Sequence, residues 1–216
     1  MGLRTQVTRR LEWLIGKGYS RKHFDRIYSG TERDAWGYQA DQFSRKRFAL
    51  LLGMLPTVPV KTVLEVGCAE GHFTRLLAER VQEVVACDIS DLATHRAQQT
   101  CEGLRNVRFL TMDVRGGLPQ ENFDLILFSD VLYYLSSKEA VRVLANSAEV
   151  LRPGAFLMFA NEWHAEYRFL LEPTEILKII NRSEHWELMK RQDFGGGGSR
   201  TLLAALFRRS SLRGND

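Results

Sequence analysis

The sequence predicts an α/β chain: a Rossmann-like, seven-stranded, mostly parallel sheet with a reversed C-terminal hairpin, plus an N-terminal helical cap. Three observations carry this expectation. From Lys61 onward, short β-branched runs alternate with helical stretches, and a glycine-bounded turn follows the first of those runs. The last two runs are joined by Gly195 to Gly198, with no helix between them. At 216 residues and 44% hydrophobic, the chain can fill one large core but not two full domains.

Each element has a local reason. Val7, Leu11, Leu14 and Ile15 recur at helical spacing, as do Phe43, Phe48, Leu51, Leu52 and Leu55 before Pro56 ends the run. Between these two expected helices, residues 23–41 carry Tyr28, Ser29, Gly30, Trp36, Gly37 and Tyr38 and read as irregular. Strands are expected at Val63 to Val66, Val84 to Cys87, Val107 to Thr111 and Leu125 to Ser129. Helices should separate them near Phe73 to Arg80, Ala93 to Cys101 and Lys138 to Leu151. Arg152-Pro153-Gly154 is a stop-and-turn signal, so a fifth strand should run from Phe156 to Ala160. Trp186 to Phe194 and Arg200 to Phe207 then form the antiparallel pair. The expected division is a cap or lid over 1–56, a ligand-binding α/β domain over 57–208 and a polar tail over 209–216.

Composition narrows the partners. The net charge is only +4, and the basic residues fall in short groups (Arg9 with Arg10, Arg45 to Arg47, Arg208 with Arg209) rather than a stripe, which argues against a nucleic-acid partner. Cys68, Cys87 and Cys101 have neither a disulfide framework nor a Cys-x-x-Cys zinc spacing, so no metal is expected and a reducing cytoplasm fits. No run is long and apolar enough to span a bilayer, and no membrane partner is expected. Residues 1–16 are Arg-rich and amphipathic, but Glu12 on the polar face favours a structural helix over a targeting segment.

The strongest chemical signal is Val63-Leu64-Glu65-Val66-Gly67-Cys68-Ala69-Glu70-Gly71-His72-Phe73, a strand entering a tight turn before a helix. Gly67 and Gly71 permit close backbone approach, and the following helix N-terminus favours an anion, here an amino-acid carboxylate. The Gly-x-Gly-x-x-Gly spacing of dinucleotide sites is missing, which disfavours a pyrophosphate. Asp88 closes the next strand, where an acceptor-only carboxylate can take both ribose hydroxyls; the alternative is a helix cap with Ser90. Asp113, after the third strand, can accept from an adenine amino group or simply form a turn. All three strand ends open on one edge of the sheet.

In this order, Glu65-x-Gly67-x-x-x-Gly71, Asp88, Asp113 and Leu151-Arg152-Pro153-Gly154-Ala155 resemble the class I methyltransferases. A narrower resemblance is to the nodulation protein S family. Asp34-Ala35-Trp36-Gly37-Tyr38 and Phe43-Ser44-Arg45-Lys46-Arg47-Phe48 look like that family's Asp-Pro-Trp and Tyr-Glu-x-x-Lys-Tyr segments. Ser129-Asp130-Val131-Leu132-Tyr133-Tyr134-Leu135 looks like its Glu-Val-Leu-Tyr-Tyr-Leu, with Ala35, Asp130 and Arg47 in place of proline, glutamate and lysine.

The resemblance implies S-adenosyl-L-methionine as methyl donor, S-adenosyl-L-homocysteine as product, and a small-molecule acceptor methylated at nitrogen or oxygen, such as an amino sugar or a natural-product intermediate. It implies a cofactor site at Trp36, Arg47, Glu65, Gly67, Cys68, Ala69, Gly71, Asp88, Ile89, Asp113, Val114, Ser129, Asp130 and Tyr133, with Arg47 near the methionine carboxylate. Candidate bases for the acceptor proton are Asp130, Glu162 and His164. The rival readings are an RNA or DNA methyltransferase and a non-catalytic cofactor-binding protein. Against the first, Ser129-Asp130-Val131-Leu132 stands where base-methylating enzymes carry Asp/Asn-Pro-Pro-Tyr/Phe.

Overall fold

The computed structural model describes residues 19–30, 33–164, 171–195 and 200–210. The expected helix at Val7 to Ile15, the centre of the glycine loop and most of the polar tail lie outside the described residues. In chain order the elements are α1 (Arg21–Ser29), α2 (Gln42–Gly53), β1 (Thr62–Val66), α3 (His72–Ala78), β2 (Glu83–Asp88), α4 (Asp91–Thr100), β3 (Val107–Thr111), β4 (Phe123–Ser129), α5 (Ser137–Val150), β5 (Leu151–His164), α6 (Pro173–Asn181), β6 (Trp186–Gly195) and β7 (Arg200–Arg209). The sheet runs β3-β2-β1-β4-β5-β7-β6. The first five strands are parallel and β7 is antiparallel to both its neighbours, as the sequence predicts.

Period-two alternation along the strands splits the core between the two faces of the sheet. On one face Leu64, Val66, Ile126, Phe128, Leu157 and Phe159 pack against Val143 and Leu144 of α5 and Ile176 and Ile180 of α6. On the other, Val63, Val84, Leu125, Leu127 and Met158 pack against Phe48 and Leu51 of α2 and Phe73 and Leu77 of α3. Each such side chain, fully buried, contributes roughly 1.5–3 kcal/mol. Strand order reverses between β1 and β4, so the loops leaving these two strands diverge and open a crevice at their carboxyl ends.

The structure corrects the sequence reading in three places. Residues 23–41 are not irregular throughout, because α1 occupies their first part. Phe24 and Tyr28, four residues apart, lie on one face and are buried against Ala69 and Ala93. A second helix not expected from the sequence, α6, starts at Pro173, whose fixed φ suits a first helical turn, and buries Ile176, Leu177 and Ile180. β5 spans Leu151–His164 rather than Phe156 to Ala160, because β4 pairs with its start at Phe123↔Leu151 and β7 pairs with it continuously from Phe156↔Arg208 to His164↔Arg200. Glu162 and His164 therefore stand within the strand instead of past its end.

Candidate functional site

A cavity of about 450 Å³ lies over the carboxyl ends of β1, β2 and β4. It brings together Trp36, Arg47, Gly67, Ala69, Asp88, Ile89, Asp113, Val114, Ser129, Asp130, Tyr133 and Glu162 from the sequence-derived set. Glu65, Cys68 and Gly71 stand behind the turn, off the cavity wall. His164 ends β5, and its side chain lies outside the described residues.

The turn after β1 is built from within. Gly67 has φ +83°, and a Cβ there would overlap the Val131 side chain and approach the Ser129 carbonyl oxygen to 3.0 Å. Gly71, at φ +80°, would press a Cβ to 3.0 Å from the Ala97 backbone. Glycine is required at both positions, for conformation and for space. The amides of Gly67 and Cys68 donate to the Cys87 carbonyl at 2.8 and 3.0 Å, and that of Ala69 to Asp88 Oδ2 at 3.0 Å. The first residues of the turn thus supply a close surface rather than free donors.

Asp88 stands at the cavity wall, and the helix cap is Ser90 rather than Asp88. It lines the cavity, and its two oxygens also accept from Ala69 N and from Ser90 N at 2.9 Å, while Ser90 itself caps α4 by accepting from Ala93 N. Burial pushes the Asp88 carboxyl up to about 6, against the pull of these backbone donors. Asp113 likewise lines the cavity and forms a turn. Arg115 grips it with Nε and Nη2 at 2.9 and 2.7 Å, which outweighs its partial burial and holds its carboxyl below the usual range. Glu65 is 1% exposed, and burial, reinforced by the charge of Asp88, raises it to about 7.

Arg47 departs most from what its sequence neighbourhood suggests. It sits in the basic run Arg45 to Arg47 yet is only 2% exposed. It forms an ion pair with Asp130 and donates to Ser129 Oγ at 2.6 Å, and its Nε has no partner among the described residues. Asp130 holds a left-handed backbone, φ +53°, with its amide donating to the Ala160 carbonyl at 2.8 Å. Burial raises the Asp130 carboxyl, and Arg47 counters only part of the rise.

The N-terminal segment supplies residues that the sequence reading did not place at the site. Tyr19, His23, Phe24, Ile27 and Tyr28 line the cavity from α1 and its start. Trp36 Nε1 donates to Tyr28 Oη at 2.9 Å. Glu70 ties the segment at Ala35 to the turn, accepting from Ala35 N at 2.8 Å and from Arg96 at 2.7 Å. The spacing of Phe24, Ile27 and Tyr28 was the available signal for the α1 contribution. Tyr133 and Tyr134 pack edge to face at 4.4 Å between centroids, and burial keeps both phenols protonated.

Comparison with known proteins follows the same outline. The family described as methyltransferase domain matches residues 63–154. Nodulation protein S of Rhizobium tropici is 35% identical over 130 residues, 59% of this chain and 55% of that protein. Its counterpart in Sinorhizobium fredii is 32% identical over 137 residues, 62% of this chain and 63% of that protein. The crystal structure of the N-methyltransferase NodS from Bradyrhizobium japonicum WM9, in complex with S-adenosyl-L-homocysteine, superposes with a TM-score of 0.79 at 26% identity, covering 88% of this chain and 97% of that one. The chain is thus similar to methyltransferase domains over residues 63–154 and to nodulation protein S over a longer stretch. The matched stretches span less than two thirds of the curated relatives' own length. Among the described residues, no helix is long and apolar enough to cross a membrane.

Proposed function

We propose that this chain transfers a methyl group from S-adenosylmethionine to a nitrogen or oxygen atom of a small-molecule acceptor. Nitrogen is the first atom to test, because NodS of Bradyrhizobium japonicum and the phosphoethanolamine relative from Arabidopsis thaliana are both named as N-methyltransferases. The observation that carries the reading is the cavity at the strand-order reversal, where Gly67, Asp88, Asp113 and Arg47 meet. Its volume lies within the range of about 300–1,000 Å³ typical of small-molecule sites.

The residues present fit such a cofactor. A buried guanidinium with a spare N–H suits a carboxylate, and an acidic side chain at the end of β2 suits ribose hydroxyls. Bound there, S-adenosylmethionine supplies a methyl group on a positively charged sulfur, already activated for displacement. The protein's own task is to align the acceptor and keep water out, and alignment can supply roughly 7–11 kcal/mol. α1 and residues 34–38 provide the cover.

Asp130 is the residue assigned to take the acceptor's proton, because its carboxylate sits on the cavity wall and is held by Arg47. The oxygens of Glu162 are held by Arg200, as those of Asp130 are by Arg47 and the Glu162 amide; what favours Asp130 as the base is that burial raises its carboxyl. Three free, buried thiols suit a reducing compartment such as the cytoplasm.

The test has two arms. Excess adenosylhomocysteine should raise the melting temperature, and labelled methyl donor should mark a member of a panel of amines and alcohols. A melting temperature that does not move would remove the cofactor assignment.

A further inference from the structure

We propose that Arg200, at the head of β7, is a positioning residue that fixes Arg47 for the cofactor through a closed ring of ion pairs and backbone hydrogen bonds. The inference rests on the cofactor reading above. Arg200 Nη2 donates to Glu162 Oε2 at 2.9 Å and its Nε to Glu162 Oε1, while Nη1 donates to Asp41 Oδ2 at 2.9 Å. Its guanidinium carbon lies 4.3 Å above the Phe43 ring centroid. Asp41 is the N-cap of α2, accepting from Phe43 N and Ser44 N at 3.2 Å, and α2 carries Arg47. In the other direction, the Glu162 amide donates to Asp130 Oδ1 at 2.7 Å, and Asp130 pairs with Arg47. The path leaves α2 at Asp41 and returns to it at Arg47.

The ring joins α2 to β4, β5 and β7 on one side of the cavity. Asp130 adopts its left-handed backbone at the centre of this path, a conformation that persists only where surrounding contacts fix it. The Arg200 side chain is 36% exposed, and a half-open ion pair adds little to stability by itself. Its geometry matters more: the planar fork grips Glu162 with two N–H groups while a third reaches Asp41, a bidentate hold that a lysine ammonium does not reproduce. Arg200 therefore pins the start of α2, which Phe48 and Leu51 seat on the sheet, and with it the direction of the Arg47 guanidinium.

A double-mutant cycle on adenosylhomocysteine affinity, read by calorimetry with melting curves to establish folding, tests this. Arg200→Met in the native background should weaken binding between about two- and thirty-fold. In an Arg47→Lys background the same change should cost less than about two-fold, because the fork it positions is gone. Where Arg200→Met does not fold, Arg200→Lys replaces it in the same cycle. Equal losses in both backgrounds would show that Arg200 acts independently of Arg47 and overturn the proposal, as would no loss in the native one. Failure of the unmutated protein to bind adenosylhomocysteine would sink the cofactor reading instead.

Discussion

Replacing Glu65 by glutamine should stabilise the protein at alkaline pH and much less in mild acid. Glu65 lies on β1 beneath the turn, 1% exposed, and its Oε2 has no hydrogen-bond partner among the described residues. Burial moves its carboxyl from 4.5 to about 7. A carboxyl whose folded value is raised binds its proton more tightly in the folded state, so stability falls as pH rises from the unfolded value through the folded one. Above pH 7 the full cost of a buried charge is present, about 3 kcal/mol; at pH 5 the difference is about 1 kcal/mol. Glutamine keeps the shape and cannot ionise. Urea unfolding of the native protein and Glu65→Gln at pH 5, 7 and 8.5 should show the variant gaining on the native protein by about 2 kcal/mol across that range. The unpaired amide of glutamine shifts all three points equally, so only the trend is diagnostic. A stability difference independent of pH would mean that Arg47 already holds Glu65 as a carboxylate, and the desolvation argument would fail.

Other perturbations probe the remaining contacts. Asp88→Ala should weaken adenosylhomocysteine binding by about 1.5–3 kcal/mol, the range for hydrogen bonds to a charged group, and calorimetry giving the same constant would take Asp88 out of the site. Gly71→Ala should cost more than about 1 kcal/mol in denaturant unfolding, because φ +80° and the Ala97 backbone at 3.0 Å both oppose a methyl group. Arg47→Ala leaves Asp130 buried without its cation, a loss on the order of 3–5 kcal/mol. That loss should shrink as pH falls and Asp130 takes a proton; equal losses at pH 5 and pH 8 would show that Asp130 reaches solvent once Arg47 is gone.

Much of the site's outline was written in linear order. Gly67, Asp88 and Asp113 each follow a β-branched run, and a parallel sheet brings such strand ends to one edge whatever the helices do. The roles within that outline were less legible. Arg47 reads as part of a solvated basic run, and nothing near it in sequence announces Asp130, 83 positions on. Glu162 looked like a free base until β7 delivered Arg200 beside it. Glu70, which ties the segment at Ala35 to the turn, carries no motif because both its partners come from elsewhere in the chain. The α1 helix was obscured for a similar reason: Arg21–Ser29 is mostly polar and has no acidic first turn or side-chain cap, so its packing on Ala69 and Ala93 outweighs weak local preference.

While the length of β5 came from its pairing, the sequence by itself determined the number of strands, their parallel run with a reversed end, and the glycine and acids at or just past the ends of β1, β2 and β3. Those features follow from period-two patterning and turn chemistry, which act over a few residues. Only the tertiary structure decided which charges are buried, which are paired and which remain available to a ligand. Burial and pairing join residues tens of positions apart, and a carboxylate's behaviour depends on the cation the fold sets against it.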